Sequence, residues 1–230
     1  MPSPQSAFGA SLAAICREVA LLVGVAPAGV WAGNPDVTAA EVVAWVNQAQ
    51  RMVADATDWT ALHREASWTP EPGKEEQMFP LPADLGRLLP DTVRCGGQFV
   101  PGPATPAAWT RPGAGPLWAL RSGKLLTLCL PNDGLLQARY LALVPDLVAD
   151  GQETPLDERS VALGAVMLWR DAKGLPQGSA PPQYLSALQA AKAKDRPVGA
   201  LSLGGAPRFH APDPRTRRNP VILDMGGTLG

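Results

Sequence analysis

The sequence predicts an α+β protein: a helical bundle of about four helices, an inserted small antiparallel β-domain and an extended C-terminal tail. Three observations predict it. Apolar residues recur at 3–4 spacing near both ends of the first 196 residues. Between them, short apolar runs are cut by Pro, Gly and hairpin dipeptides. Beyond Pro197 no period survives. The expected division is residues 1–65 and 150–196 as the bundle, 66–149 as the β-domain and 197–230 as the tail.

The first helix is expected over Ser11 to Val23. Leu12, Ile15, Val19 and Leu22 share one face, and Gly24 offers a stop. The second helix opens on a capping box formed by Thr38 and Glu41. Val42, Trp45, Val46, Ala49, Met52, Val53 and Ala56 form its buried stripe, and it ends near Asp58-Trp59. In the middle, "SWT", "QMFPL", "TVRCGGQFV" and "AAWT" read as strands. "LWALRSGKLLTLCLPNDGLLQARYLAL" reads as a three-stranded meander with turns at Ser122-Gly123 and Asn132-Asp133-Gly134. Thr154-Pro155-Leu156-Asp157 supplies a cap, a first-turn Pro and an acid for a third long helix, which stops at Gly174. A fourth runs from Pro182 to Asp195.

Composition narrows the function. The chain has 230 residues, 46% of them hydrophobic, and a net charge of -1. That gives neither the basic field of a nucleic-acid binder nor an acidic one. The N-terminus lacks a basic region, and Arg17 and Glu18 break its apolar run, so neither a signal peptide nor a membrane span is expected. Cys16, Cys95 and Cys129 are odd in number and widely spaced, which predicts free thiols rather than a disulfide framework. With only His63 and His210 beside them, no zinc spacing arises. No nucleophile elbow or phosphate loop is present, and Glu75-Glu76 reads as a solvated turn beside Lys74. No catalytic, cofactor or metal residue is expected. The tail carries Arg208, Phe209, His210, Arg215, Arg217 and Arg218, then an apolar Val221, Ile222 and Leu223 that a plain linker does not need.

The order of these pieces carries a family likeness. A short helix precedes "WVNQAQRMVA", closed by "TDWTALHREASWT". "FPLPADLGRLL", a β-domain, "LDERSVALGAVMLWRDAKGL" and a loose tail follow. This arrangement resembles the head-to-tail adaptor (connector) proteins of tailed bacteriophages, especially the short-tailed type. The family's helix Asn, Trp-x-x-Leu and Leu-Pro-x-Asp-Phe segment match Asn47, Trp59 with Leu62, and Leu81-Pro82-Ala83-Asp84. Leu85 stands where the aromatic is expected.

The resemblance implies a virion protein of the head–tail junction, assembled in the host cytoplasm as a homo-dodecameric ring under the portal protein. Tail or nozzle proteins are its other partners. Double-stranded DNA passes through the lumen without being read, no membrane is involved, and the C-terminal residues reach the portal. Trp59, Leu62 and Trp68 are expected to join bundle and β-domain. Two other readings stand beside this one: a DNA-binding accessory protein using the basic tail, and a tail-associated cell-wall hydrolase. The hydrolase needs a carboxylate pair in a cleft.

Overall fold

A computed structural model describes residues 9–111, 113, 115–128 and 134–195. It is α+β, as the sequence predicts. The helices are α1 (Leu12–Val23), α2 (Val37–Ala54), a short α3 (Pro106–Trp109), α4 (Glu158–Ala172) and α5 (Ala180–Asp195). The strands are β1 (His63–Trp68), β2 (Glu76–Pro80), β3 (Leu85–Leu88), β4 (Arg94–Cys95), β5 (Gln98–Phe99), β6 (Leu117–Arg121), β7 (Lys124–Leu128) and β8 (Leu136–Ala142).

α4 is the centre of the helical part and packs on α1, α2 and α5. Every residue from Ser160 to Val166 is buried, so the helix has no solvent face over two turns. Gly164 lets this packing close. A Cβ there would lie 3.2 Å from the Ala49 Cβ on α2 and 3.4 Å from the Tyr184 ring on α5. The core includes Leu12, Ile15, Val42, Val46, Val53, Leu156 and Val161.

The strands form two antiparallel sheets. In the first, β8 is central, with β1 on one edge and β3 and β4 in tandem on the other; β4 carries β5. In the second, β7 lies between β2 and β6. Phe79, Trp118 and Leu125 of the second sheet share one apolar cluster with Leu88, Cys95, Leu136 and Ala138 of the first. Alternation along β8 explains this: Leu136, Ala138, Tyr140 and Ala142 are buried, while Gln137 and Arg139 lie on the other face.

Several local expectations are corrected. The cap of α2 is Asp36, whose carboxylate accepts from Ala39 N–H at 2.9 Å. Glu41 instead pairs with Lys173 at 2.8 Å. α2 ends at Ala54, four residues before the expected acid–aromatic stop. Leu22 is exposed, and Cys16 and Ala20 widen the buried face of α1 in its place. Trp45 is only half-buried. α4 is capped by Asp157, which accepts from Ser160 N–H and Oγ; Thr154 turns inward, and its Oγ1 accepts from Leu156 N–H. "AAWT" is helical because Thr105 caps it and Pro106 fills its first turn. β3 falls in a segment not expected to be a strand. The meander also divides. β6 and β7 form a hairpin over Ser122 and Gly123, both at positive φ, but β8 leaves for the other sheet. The turn at Asn132-Asp133, Cys129 and the whole C-terminal tail lie outside the described residues.

Cys16 is a free thiol within the helical core. Burial and the nearby Asp150 charge push its pKa up from 9.0 to about 12. A raised pKa keeps the thiol protonated, and the stability this lends is fully present below pH 9.0 and is lost as pH rises toward about 12. Cys16 should therefore resist iodoacetamide in the native protein at pH 8 and react fully in denaturant. Peptide mass spectrometry reads both, and rapid native labelling would contradict the burial.

Candidate functional site

α2 must end and hand the chain to the sheets without stranding polar backbone. The last carbonyls of a helix have no partner within it. Here the Trp59 indole N–H donates to the Val53 carbonyl at 2.7 Å, alongside Ala56 N–H at 3.1 Å. Trp59 is 1% exposed and Leu62 is 5% exposed, and both belong to the helical core. Between them a single 3-10 turn, Thr60–Leu62, leads directly into β1. At the far end of β1, Trp68 donates to the Pro80 carbonyl at 2.8 Å, and its ring lies 6.0 Å from that of Phe79. Trp59 and Leu62 thus pack with the helices, while Trp68 packs with the sheets.

The return crossing is a strap over residues 143–156, and α2 holds it. Asn47 forms a two-way clamp: its amide nitrogen donates to the Leu147 carbonyl at 3.2 Å, and its oxygen accepts from Leu147 N–H at 2.7 Å. One turn on, the fully buried Gln50 donates to the Pro145 carbonyl at 2.8 Å. Arg51 reaches both carboxylate oxygens of Asp146, at 2.5 and 2.7 Å. Further along, the Asp150 carboxylate accepts from Trp31 and Ala32 N–H, pinning the α1–α2 loop. The strap also pairs with the start of α1 through Leu12 and Ala13 N–H.

The segment Leu81–Asp84 closes the same corner. Asp84 accepts from the Tyr140 hydroxyl at 2.9 Å, and its backbone carbonyl accepts from Leu143 N–H at 2.7 Å. Burial, then this hydrogen bond and the Asp84 charge, raise the Tyr140 pKa. Asp58 forms an ion pair with Arg87 of β3. Asp195, at the end of α5, accepts from Thr60 N–H at 2.9 Å. The pairs Arg51–Asp146 and Asp58–Arg87 stand on the walls of an open cleft of about 820 Å³, with Leu143 exposed in it. All four charged groups are about half exposed, so each pair contributes at most about 1 kcal/mol. The seam is held by the Asn47 and Gln50 amides and by apolar packing.

The chemistry of this arrangement is mechanical: it fixes one layer to another. Among the described residues, no group of three His, Cys, Asp or Glu is placed to hold a metal ion. No described helix is long and apolar enough to cross a membrane. Arg208, Phe209, His210, Arg215, Arg217, Arg218, Val221, Ile222 and Leu223 lie outside the described residues. Reading the sequence missed Gln50, Asp146 and Asp150. Gln50 left a signal: it sits at i+4 from Val46 and one residue after Ala49 on a buried stripe, where an amide must find a partner.

Helices and sheets are thus joined by a side-chain-clamped seam. The sequence profile of the SU10 adaptor protein family matches residues 11–207 and takes in every described helix and strand. The chain therefore belongs to the SU10 adaptor protein family. That makes it a phage head–tail adaptor, a structural protein of the virion. Among curated proteins, none matches the chain.

Two substitutions test the seam. Trp59→Ala should lower stability in urea melts by about 3–5 kcal/mol, and Trp59→Phe by about 1 kcal/mol for the lost indole bond. Equal effects of the two would contradict a role for the indole N–H. Asn47→Ala should cost about 1–3 kcal/mol, because it strands the Leu147 N–H and carbonyl. A loss below about 0.5 kcal/mol would mean water serves that backbone equally well.

Proposed function

We propose that this adaptor is of the short-tailed phage type and forms a twelve-membered ring beneath the portal, connecting it to tail or nozzle proteins. The observation that carries this reading is the family match across both layers and the strap that joins them. A ring component under load needs fixed angles between its contact surfaces. Trp59 and Leu62 on one side and Trp68 on the other, with Asn47 and Gln50 holding the return strap, would supply that rigidity.

The lumen would pass double-stranded DNA without holding it, and a net charge of -1 suits a conduit that does not grip phosphates. Assembly would take place in the host cytoplasm, and the mature position is the head–tail junction. Attachment to the portal is assigned to residues 197–230. Their composition holds too little apolar area for a core, and about 25 extended residues reach roughly 80 Å. Arg208, Arg215, Arg217 and Arg218 offer charge-assisted hydrogen bonds, with Phe209 and His210 beside them. Val221, Ile222 and Leu223 can fill a groove or extend a partner's sheet. Repetition around a ring converts a weak contact into a firm one.

Deleting residues 207–230 should leave the circular dichroism spectrum of the helices and sheets intact and abolish co-sedimentation with portal rings. A truncated protein that binds portal as tightly as the full chain would move the interface to the folded part.

A further inference from the structure

The sheet formed by β2, β7 and β6 has opposite charge at its two ends. Its register aligns Glu76 with Leu128 and Leu117 at one end, and Pro80 with Lys124 and Arg121 at the other. Glu75 immediately precedes Glu76, and both are exposed. Arg121 and Lys124 flank the exposed Ser122-Gly123 turn and face each other directly across the hairpin. Like charges in that position repel and weaken a hairpin. Among the described residues, none of these four forms an ion pair, although Lys74 beside them pairs with Glu71. Met78, at the middle of β2, is 56% exposed on the same face as Glu76, Arg121 and Lys124.

The two charged ends cannot neutralise each other within one chain. Four residue steps separate them along the strands, about 13 Å at roughly 3.3 Å per residue. They can meet between chains. We propose that this sheet is a subunit contact, in which Glu75 and Glu76 of one copy sit against Arg121 and Lys124 of the next, with Met78 covered between. A two-fold antiparallel pair would match both ends at once and stop at two copies; a contact through one end of each copy leaves the other end for a third, and this head-to-tail form is the kind that closes into rings. Exposed pairs add little affinity singly. They fix register and exclude the reversed arrangement, where like charges meet. The inference rests on the ring reading above and names the surface that builds it.

The test is sedimentation of the full chain, alone and with portal rings, for wild type and two variants, Glu75→Lys/Glu76→Lys and Arg121→Glu/Lys124→Glu. All four side chains are exposed, so both variants should keep the wild-type urea midpoint. Each alone should fail to form the ring-sized species. A one-to-one mixture should recover it, because every junction then pairs opposite charges. Wild-type assembly should also weaken near 1 M salt, where screening acts over about 3 Å. A wild-type ring with variants that assemble unaided, or a mixture that does not recover, overturns this contact alone. A wild-type chain that stays monomeric with and without portal overturns the ring reading and the contact together.

Discussion

The structure depends on how α2 gives up its hydrogen bonds. A helix that ends against a core exposes carbonyls that cost about 1–3 kcal/mol each if left unpaired. The outgoing chain must also turn into a strand within a few residues. Trp59 meets both demands with one side chain: its ring fills the core and its N–H reaches back to the Val53 carbonyl. That contact ties the end of α2 to the 3-10 turn that leads into β1. β1 then pairs antiparallel with β8 over six residues.

The return crossing obeys the same constraint from the other side. A strap lying on a helix cannot join its backbone ladder, so its polar groups need side chains. α2 presents Asn47, Gln50 and Arg51 within little more than one turn, and they meet three consecutive strap residues, Leu147, Pro145 and Asp146. One helix thus holds both crossings between the layers. Tyr140 with Asp84 locks the sheet side of that corner. The ion pairs at the cleft are exposed and serve orientation more than stability.

Much of this was legible in the sequence, and the rest was not for identifiable reasons. The stripes of α1 and α2 marked the bundle because periodic burial leaves a periodic pattern. The acid–tryptophan pair lies where the chain passes from α2 to β1, although α2 itself ends four residues earlier, since a capped helix and a buried aromatic need not coincide. Caps were misplaced by two or three residues because Asp36 and Asp157 compete with nearby threonines, and only backbone conformation decides between them. β8 could not be assigned to its sheet from the sequence, since alternation gives the face a strand buries but not its neighbour. The roles of Asp146 and Asp150 were hidden because a polar residue in a connector looks the same whether it meets solvent or a distant backbone amide.

The central claim is that the seam is as rigid as the layers it joins. Native-state hydrogen exchange tests it most directly through the Leu147 amide, which donates to Asn47 rather than to any helix or sheet ladder. The account predicts that this amide exchanges only through global unfolding, with the same free energy and denaturant dependence as the amides of α4 between Val161 and Val166. Exchange of Leu147 through a low-energy local opening, while α4 stays protected, would show that the two layers hinge and would contradict the account.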